Sequence, residues 1–196
     1  RHLIDDQRVY VTGMSGGGKC ASMLVCMFPE VFAGAVPIVG LLSWHRVDLD
    51  DGRYVPAGFA RPSRERMELL RQRRIRAITG SADEINAFEV RARAPLMSGD
   101  GLEIVVDDYK GMGHVMPTPG RFARALRWVD ASRRDALAAL EAEAARALAA
   151  HDAAFGPGRP EAPEARASLV AVTRVGPWTE PAWAAAKRLG HTRPAR

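Results

Sequence analysis

The sequence predicts an α/β fold, a mainly parallel sheet with flanking helices, followed by a C-terminal helical tail. Short β-branched runs alternate four times with helical segments in the first 131 of the 196 residues, as expected when helices connect parallel strands. The chain is 47% hydrophobic, which is enough to form a buried core. Alanine, glutamate and arginine dominate after residue 131, and this composition favours helices.

Each predicted strand is an apolar, β-branched segment bounded by glycine, proline or charged residues. These strands span residues 8–12, 32–40, 75–80 and 102–109. Helices are predicted at 16–28, 63–74, 87–97 and 119–129, the second with Ser63 as its N-cap. Residues 41–62 lack periodicity and carry glycine, proline and mixed charge, which predicts a long loop. Long loops in compact domains usually have a function.

By composition the chain divides into four parts. Residues 1–131 form the α/β part, 132–155 an alanine-rich helix, 156–165 a linker and 166–196 a small helical tail. The tail contains Trp178 and Trp183, which can pack against its own helices or against a partner. Cys20 and Cys26 are six residues apart on a predicted helix, so they point to different sides and should not form a disulfide.

Charge and composition argue against several classes of function. The net charge is +5 and basic residues cluster at 61–76, but Glu65 and Glu68 interrupt the cluster and no aromatic residue lies within it. We interpret it as a solvated helix face and not as a nucleic-acid site.

No apolar run is long enough to span a membrane. No cluster of residues has the spacing of a metal site, so we expect neither metal nor cofactor. Arginine far outnumbers lysine and alanine is abundant, as is typical of a GC-rich bacterial genome; a cytoplasmic and an exported location both stay open.

Residues Gly13-Met14-Ser15-Gly16-Gly17 fit the pattern G-x-S-x-G, the nucleophile elbow of serine hydrolases. In that turn a serine lies between a strand and a helix with a strained backbone, and its neighbours two positions away must lack a Cβ atom. The predicted strand ends just before this pentapeptide and the predicted helix begins within it. The pattern in this context therefore predicts Ser15 as a nucleophile.

The same stretch also fits a phosphate-binding loop, since Gly13 and Gly18 are followed by Lys19. Such a loop continues with serine or threonine, whose hydroxyl binds Mg²⁺, whereas Cys20 is a poor magnesium ligand. The acidic strand end at Asp107 and Asp108 resembles the metal-binding carboxylate of nucleotide-binding proteins. A nucleotide-binding function is therefore a competing, less favoured interpretation.

The order of the remaining polar residues favours the hydrolase. Asp83 lies three residues after the predicted strand 75–80, and His114 lies in a glycine-rich loop after the strand 102–109. Serine, acid and histidine thus follow three different strands in the order found in hydrolases of this kind. Each residue by itself also has a purely structural explanation: Ser15 could be an ordinary turn residue and Asp83 a helix N-cap. Other candidates for the acid are Glu84 and, less favoured, the pair Asp107 and Asp108.

Four segments of the chain resemble the α/β-hydrolase superfamily, in particular esterases related to polyhydroxybutyrate depolymerases, feruloyl esterases and dienelactone hydrolases. They read DDQRVYVTGMSGGGKCASML, FPEVFAGAVPIVG, AITGSADEIN and YKGMGHVMP and cover about residues 5–131. The resemblance implies that Ser15 is the nucleophile, Asp83 the acid and His114 the general base, with the Gly16 amide in the oxyanion hole. It also implies several strands ahead of the nucleophile strand, so we expect a preceding segment or an oligomer partner to complete the site.

The predicted function is hydrolysis of a small or polymeric carboxylic ester through an acyl-enzyme. We expect Trp44 and His45, in the loop 41–62, to form one wall of the substrate pocket. The alternative, from a different class of function, is a non-catalytic hydrolase-like scaffold. It would bind a partner through the whole helical region after the α/β part, residues 130–196. The sequence does not identify the ester, because substrate choice in this fold depends on loops.

Overall fold

Four parallel strands form the sheet that the sequence predicts. The computed structural model describes residues 5–49, 52, 54–158, 160–176 and 179–191. Its strands are β1 (Tyr10–Met14), β2 (Gly34–Ile38), β3 (Val47–Asp48), β4 (Tyr54–Val55), β5 (Arg74–Gly80) and β6 (Glu103–Tyr109). The main sheet has the order β1-β2-β5-β6 with every neighbouring pair parallel. Its carboxyl ends therefore meet at one edge, where Ser15, Asp83 and His114 follow β1, β5 and β6.

Helices cover both faces of this sheet, which confirms the predicted fold class. Helices α1 (Gly16–Met27), α2 (Arg64–Leu70) and α3 (Ala87–Gly99) contribute buried side chains to one core cluster, together with Ile75 and Ala77 of β5. Helix α4 (Pro119–Phe155) contributes Ala125 and Val129 to a second cluster with Ile78 of the same strand. Successive side chains of a strand point to opposite faces, so the apolar runs of the sequence bury both faces.

Several boundaries differ from the predicted ones. Strand β1 begins at Tyr10 and not at residue 8, because Asp6–Arg8 form a short 3₁₀ turn. Helix α2 ends at Leu70, four residues early, since Arg71–Arg73 form the turn that leads into β5. Helix α3 continues through Pro95 to Gly99, where the fully buried Met97 holds its last turn against the core.

The loop 41–62 contains the antiparallel hairpin of β3 and β4, which the sequence analysis missed. Each strand has only two residues, too short to give a periodic pattern. The buried guanidinium of Arg93 in α3 holds this loop by donating to Ser43 Oγ at 3.3 Å, to the His45 carbonyl at 2.8 Å and to the Pro56 carbonyl at 2.9 Å. The loop is therefore anchored on α3.

Beyond residue 131 the described chain is helical. The predicted helices 119–129 and 132–155 are one continuous helix, α4, and two more follow, α5 (Pro163–Arg174) and α6 (Glu180–Arg188). Contacts divide the chain into two units, with the division between Ala131 and Ser132. In the second unit Leu169, Val172, Ala185 and Leu189 form a small core.

The predicted linker 156–165 is shorter than expected, because Pro163 starts α5 at a position that suits a residue without an amide hydrogen. Trp178, which the sequence analysis placed in the tail, lies outside the described residues, whereas Trp183 lies in α6. No described helix has the length and apolar character that crossing a membrane requires.

The basic cluster 61–76 is engaged in ion pairs with carboxylates. The observed pairs are Arg61–Asp100, Arg64–Glu68, Arg66–Glu30, Arg74–Glu103 and Arg76–Asp107. These pairs partly neutralise the local positive charge, as an ordinary solvated surface would. The absence of nucleic-acid binding stays a prediction.

Candidate active site

Ser15 is the single residue between β1 and α1. Its φ of 55° and ψ of −117° lie in a region that side-chain-bearing residues rarely adopt, so the turn is strained. The Ser15 amide donates to the Ile38 carbonyl at 2.8 Å, and its carbonyl accepts from the Lys19 amide at 3.0 Å. The side chain makes no capping hydrogen bond to α1. The backbone is thus fixed on both sides while the hydroxyl is left for other contacts.

Close backbone packing explains most of the glycines around Ser15. A Cβ atom on Gly13 would lie 2.4 Å from the Gly17 carbonyl oxygen, and one on Gly40 would lie 2.3 Å from the Ser15 carbonyl oxygen. A Cβ atom on Gly18 would lie 2.7 Å from the Ile38 carbonyl oxygen. Gly16 and Gly17 differ, because a Cβ atom at either position meets nothing within 4 Å. The expected steric requirement is confirmed at Gly13 and is wrong at Gly17.

The geometry contradicts a phosphate-binding loop. Helix α1 begins at Gly16, so residues 16–19 are helical and form no open cradle of backbone amides. The Lys19 ammonium donates to Glu89 at 3.0 Å. Asp107 accepts two hydrogen bonds of 2.8 Å from the guanidinium of Arg76. The groups that such a loop would offer to phosphate and magnesium are therefore committed elsewhere.

Asp83 and His114 are brought together by the loops that follow β5 and β6. The Asp83 side chain is fully buried, and its Oδ1 accepts from His114 Nδ1 at 3.0 Å. The same oxygen accepts from the amides of Ile85 at 3.0 Å and Asn86 at 3.2 Å. Burial by itself would raise the pKa of Asp83, but these three donors outweigh it and hold the pKa below its usual range.

The loop after β6 turns back over the end of β5. The Ala82 amide donates to the Met112 carbonyl at 3.0 Å, and a Cβ atom on Gly80 would lie 2.2 Å from that carbonyl oxygen. This close approach places His114 beside Asp83. Because a carboxylate only accepts, Nδ1 of His114 is assigned the proton, and Nε2 is then an acceptor on a side chain that is 23% exposed.

Ser15 and His114 are not joined by a hydrogen bond in the described part of the chain, although both lie at the carboxyl edge of the sheet. Strand β2 separates β1 from β5, so about 10 Å of sheet lies between the strands that precede Ser15 and Asp83. Catalytic hydrogen bonds are often long without substrate and tighten in the complex. The structure thus unites acid and histidine and places the serine on the same edge.

The alternative acids do not contact His114. Glu84 is exposed, Asp107 is bound to Arg76, and Asp108 accepts from Arg91 at 2.7 Å. The carboxylate beside the histidine is therefore that of Asp83.

Gly16 supplies the first amide of α1. The first amides of a helix lack an intrahelical acceptor and lie at the positive end of the helix dipole. This amide is therefore suited to binding a negatively charged oxygen next to Ser15. Among the described residues no group of three or more His, Cys, Asp or Glu side chains could hold a metal ion.

Trp44 and His45 contact Asp100, at the end of α3 that is farther from Asp83. Trp44 is 8% exposed, and its Nε1 donates to Asp100 Oδ2 at 2.9 Å. His45 Nε2 lies 2.9 Å from the same oxygen. Asp100 is the C-cap of α3, whereas Asp83 precedes the helix, and 13 helical residues span about 20 Å. The structure thus places the expected pocket wall at the opposite end of α3, because the loop follows the helix towards the amino ends of the strands.

Sequence reasoning missed two features of this edge. Asn86 and Val39 are joined by a hydrogen bond of 2.8 Å from Nδ2 to the carbonyl oxygen. Asn86 is the sole asparagine of the chain, which was a signal available in the sequence. Four strongly exposed apolar side chains also flank the acid and the histidine; they are Ile85 (68%), Phe88 (52%), Val115 (54%) and Met116 (58%).

Comparisons with known proteins agree with the resemblance seen in the sequence. Residues 1–80 match the prolyl oligopeptidase family. The matched segment contains Ser15 and ends before Asp83. Over 39 residues the chain is 51% identical to poly(3-hydroxyalkanoate) depolymerase C of Paucimonas lemoignei, a match that covers 20% of this chain and 9% of that protein. These matches confirm the resemblance to α/β-hydrolases related to depolymerases.

Solved structures similar to this chain include three esterases. A Bacillus cereus carboxylesterase is 18% identical with a TM-score of 0.46, covering 65% of this chain and 51% of that one. Acyl-protein thioesterase 2 of Zea mays is 15% identical with a TM-score of 0.46, covering 66% and 58%. An esterase of Thermogutta terrifontis is 19% identical with a TM-score of 0.44, covering 67% and 58%. The chain thus spans little more than half of these esterases and a small part of the depolymerase.

Proposed function

We propose that this chain carries the catalytic residues of a serine esterase, with Ser15 as nucleophile, His114 as general base and Asp83 as the acid that orients it. The contact between Asp83 and His114, on the edge that also holds the strained serine turn, is the observation that carries the proposal. The lowered pKa of Asp83 keeps this carboxylate charged at neutral pH. A charged, buried acid stabilises the imidazolium that forms when the histidine accepts a proton.

In the proposed reaction, His114 Nε2 takes the proton of Ser15 Oγ as that oxygen bonds to the ester carbonyl carbon. The tetrahedral intermediate then breaks its bond to the alcohol oxygen, which receives the proton from His114. Water attacks the acyl group on Ser15 and gives a proton to the same nitrogen. The carboxylic acid leaves as Oγ regains its proton, so atoms and charges balance without a cofactor.

The Gly16 amide is proposed as one donor to the developing oxyanion. Removal of a single oxyanion donor typically costs about 10²–10³-fold in rate, so a site with one donor is expected to be slow. The hydrolases that the sequence resembles take a second donor from a loop ahead of the nucleophile strand. We include in the proposal that a preceding segment or a partner subunit supplies it.

The apolar rim formed by Ile85, Phe88, Val115 and Met116 supports an ester with an apolar acyl or alcohol part. These side chains are neighbours in sequence of the acid and the histidine, and more than half of each is exposed. We propose that these four side chains form one exposed apolar patch, a feature that usually marks a binding site.

The test is labelling with a fluorophosphonate probe followed by peptide mapping. Label on Ser15 that is absent from Ser15→Ala supports the proposal, together with loss of p-nitrophenyl ester hydrolysis in that variant. Ser98→Ala is the matched control, because Ser98 is an exposed serine at the far end of α3 and should keep the label. Label on a longer natural chain alone would support completion by a preceding segment. A chain that stays unlabelled in both forms while folded would contradict the enzyme and favour the non-catalytic scaffold.

A further inference from the structure

We propose that Asn86 is a positioning residue that ties the serine turn to the acid–histidine pair. The inference rests on the proposed function, since it names what aligns Ser15 with His114. Asn86 is the N-cap residue of α3, a position at which an asparagine side chain normally accepts from the first amides of the helix. Here the side chain makes no such bond and donates instead to the Val39 carbonyl. It is thus used for a contact between two loops.

Asn86 contacts Asp83 and the segment that packs against the serine turn. Its backbone amide donates to Asp83 Oδ1 at 3.2 Å, and its side-chain Nδ2 donates to the Val39 carbonyl at 2.8 Å. The residue is 5% exposed, so both bonds are shielded from water. Without Nδ2 a buried carbonyl would lose its partner, which costs more than loss of an exposed bond.

Val39 is held in an unfavourable backbone conformation. Its φ is 43°, which is a genuine outlier for a β-branched residue. Its amide donates to the Ile78 carbonyl at 2.7 Å, so this bond and the Asn86 bond clamp its peptide groups on both sides. Strain of this kind persists only where surrounding contacts enforce it, and it concentrates at functional sites.

The residues on either side of Val39 contact the serine turn. The Ile38 carbonyl accepts from the Ser15 amide at 2.8 Å, and Gly40 packs so closely that a Cβ atom would lie 2.3 Å from the Ser15 carbonyl oxygen. Relaxation of Val39 to negative φ would move both neighbours. Loss of the Asn86 amide is therefore expected to displace Ser15 relative to His114, with no direct effect on substrate contacts.

The first test measures kcat and KM for a p-nitrophenyl ester in Asn86→Ala and Asn86→Leu. A misplaced nucleophile should lower kcat about tenfold or more, with KM within about threefold of wild type. Leucine is close to asparagine in size but cannot donate a hydrogen bond, so it should fail like alanine. Gln72→Ala is the matched control, because its amide also donates to a backbone carbonyl, that of Glu68, at the other edge of the sheet. Wild-type kcat in Asn86→Leu, or a loss confined to KM, overturns the inference.

The second test asks whether the amide acts through the strained backbone. Asn86→Ala is placed in three backgrounds: wild type, Val39→Ala and Val39→Gly. Both Val39 variants remove the same methyl groups, but only glycine adopts positive φ without steric cost. The loss of kcat should shrink to about threefold or less with glycine and stay about tenfold or more with alanine. Equal losses in all three backgrounds refute the mechanism.

Melting temperatures of the same variants separate this inference from the proposed function. Asn86→Ala should lower Tm by about 2–10 °C in the wild-type background. The decrease in Tm should be smaller in the Val39→Gly background. This coupling is measurable in a protein without esterase activity. Coupling in Tm with no fluorophosphonate label on the wild type would refute the esterase alone. An active wild type whose kcat does not depend on Asn86 would refute the positioning role alone.

Discussion

Asp83→Asn is the most informative change in the proposed site, because it alters charge with almost no change in shape. The three observed donors, His114 Nδ1 and the amides of Ile85 and Asn86, all bind Oδ1. An asparagine that keeps its oxygen at this position retains all three contacts. The variant therefore isolates the negative charge that would stabilise the imidazolium of His114.

The expected magnitude follows from the distance. Two unit charges 3.0 Å apart at an effective dielectric constant of about 20 interact by about 5.5 kcal/mol. The Asp83 side chain is fully buried, but that of His114 is 23% exposed, so solvent reduces this value. We expect a loss of about 3–5 kcal/mol of transition-state stabilisation, or about 10²–10⁴-fold in kcat/KM.

The assay is kcat/KM for a p-nitrophenyl ester at neutral pH, measured on the form of the protein that fluorophosphonate labels. Asp108→Asn is the matched control, because it removes the same charge from the end of β6, where the carboxylate contacts Arg91. The control should stay within about twofold of wild type, as expected for a partly exposed ion pair. If Asp83→Asn also stays within that range while folded, the carboxylate has no role in activating the histidine and the proposed acid is refuted.

Three further outcomes are expected. Gly13→Ala should lower Tm by about 5 °C or more and abolish labelling, since its Cβ atom would lie 2.4 Å from the Gly17 carbonyl oxygen. Gly17→Ala should change neither Tm nor labelling in this way, because its Cβ atom would meet nothing within 4 Å. The lowered pKa of Asp83 stabilises the fold above the ordinary carboxyl pKa of about 3.9, and this stabilisation is lost as the pH falls through the folded-state pKa. Wild type should therefore lose more Tm between about pH 5 and 3 than Asp83→Asn does, and parallel Tm curves would contradict this. Trp44→Phe removes the hydrogen bond to Asp100 and should lower Tm by about 2–6 °C, while the preference between ester substrates stays unchanged. A changed substrate preference would show that the loop 41–62 lines the substrate pocket.

The sheet could be predicted from the sequence because its two central strands, β2 and β5, are buried on both faces. The strand Gly34–Ile38 is a continuous apolar run and is buried throughout, which distinguishes it from the amphipathic helices around it. The hairpin of β3 and β4 could not be predicted, since two residues per strand give no period. What holds it is the buried guanidinium of Arg93, a long-range contact that local sequence does not reveal.

The candidate site was predictable where it depends on the ends of strands. Ser15, Asp83 and His114 each follow a strand, and parallel strands bring such residues to one edge. The pocket role expected for Trp44 stays a prediction: aromatic residues in a loop favour a pocket, whereas the structure buries the indole and binds it to Asp100. The contact between Asn86 and Val39 depends on a backbone angle, and a valine gives no sign in sequence that its φ is positive.

The strand order β1-β2-β5-β6 is the order of synthesis. Each new strand of the sheet can add beside the one released before it, so assembly can proceed from the amino end without waiting for distant partners. The serine turn makes its first hydrogen bond to the sheet with β2, because its amide binds Ile38. The histidine arrives last, after β6, and finds Asp83 already in place. A nascent chain with the proposed chemistry therefore stays inert towards esters until residue 114 has left the ribosome.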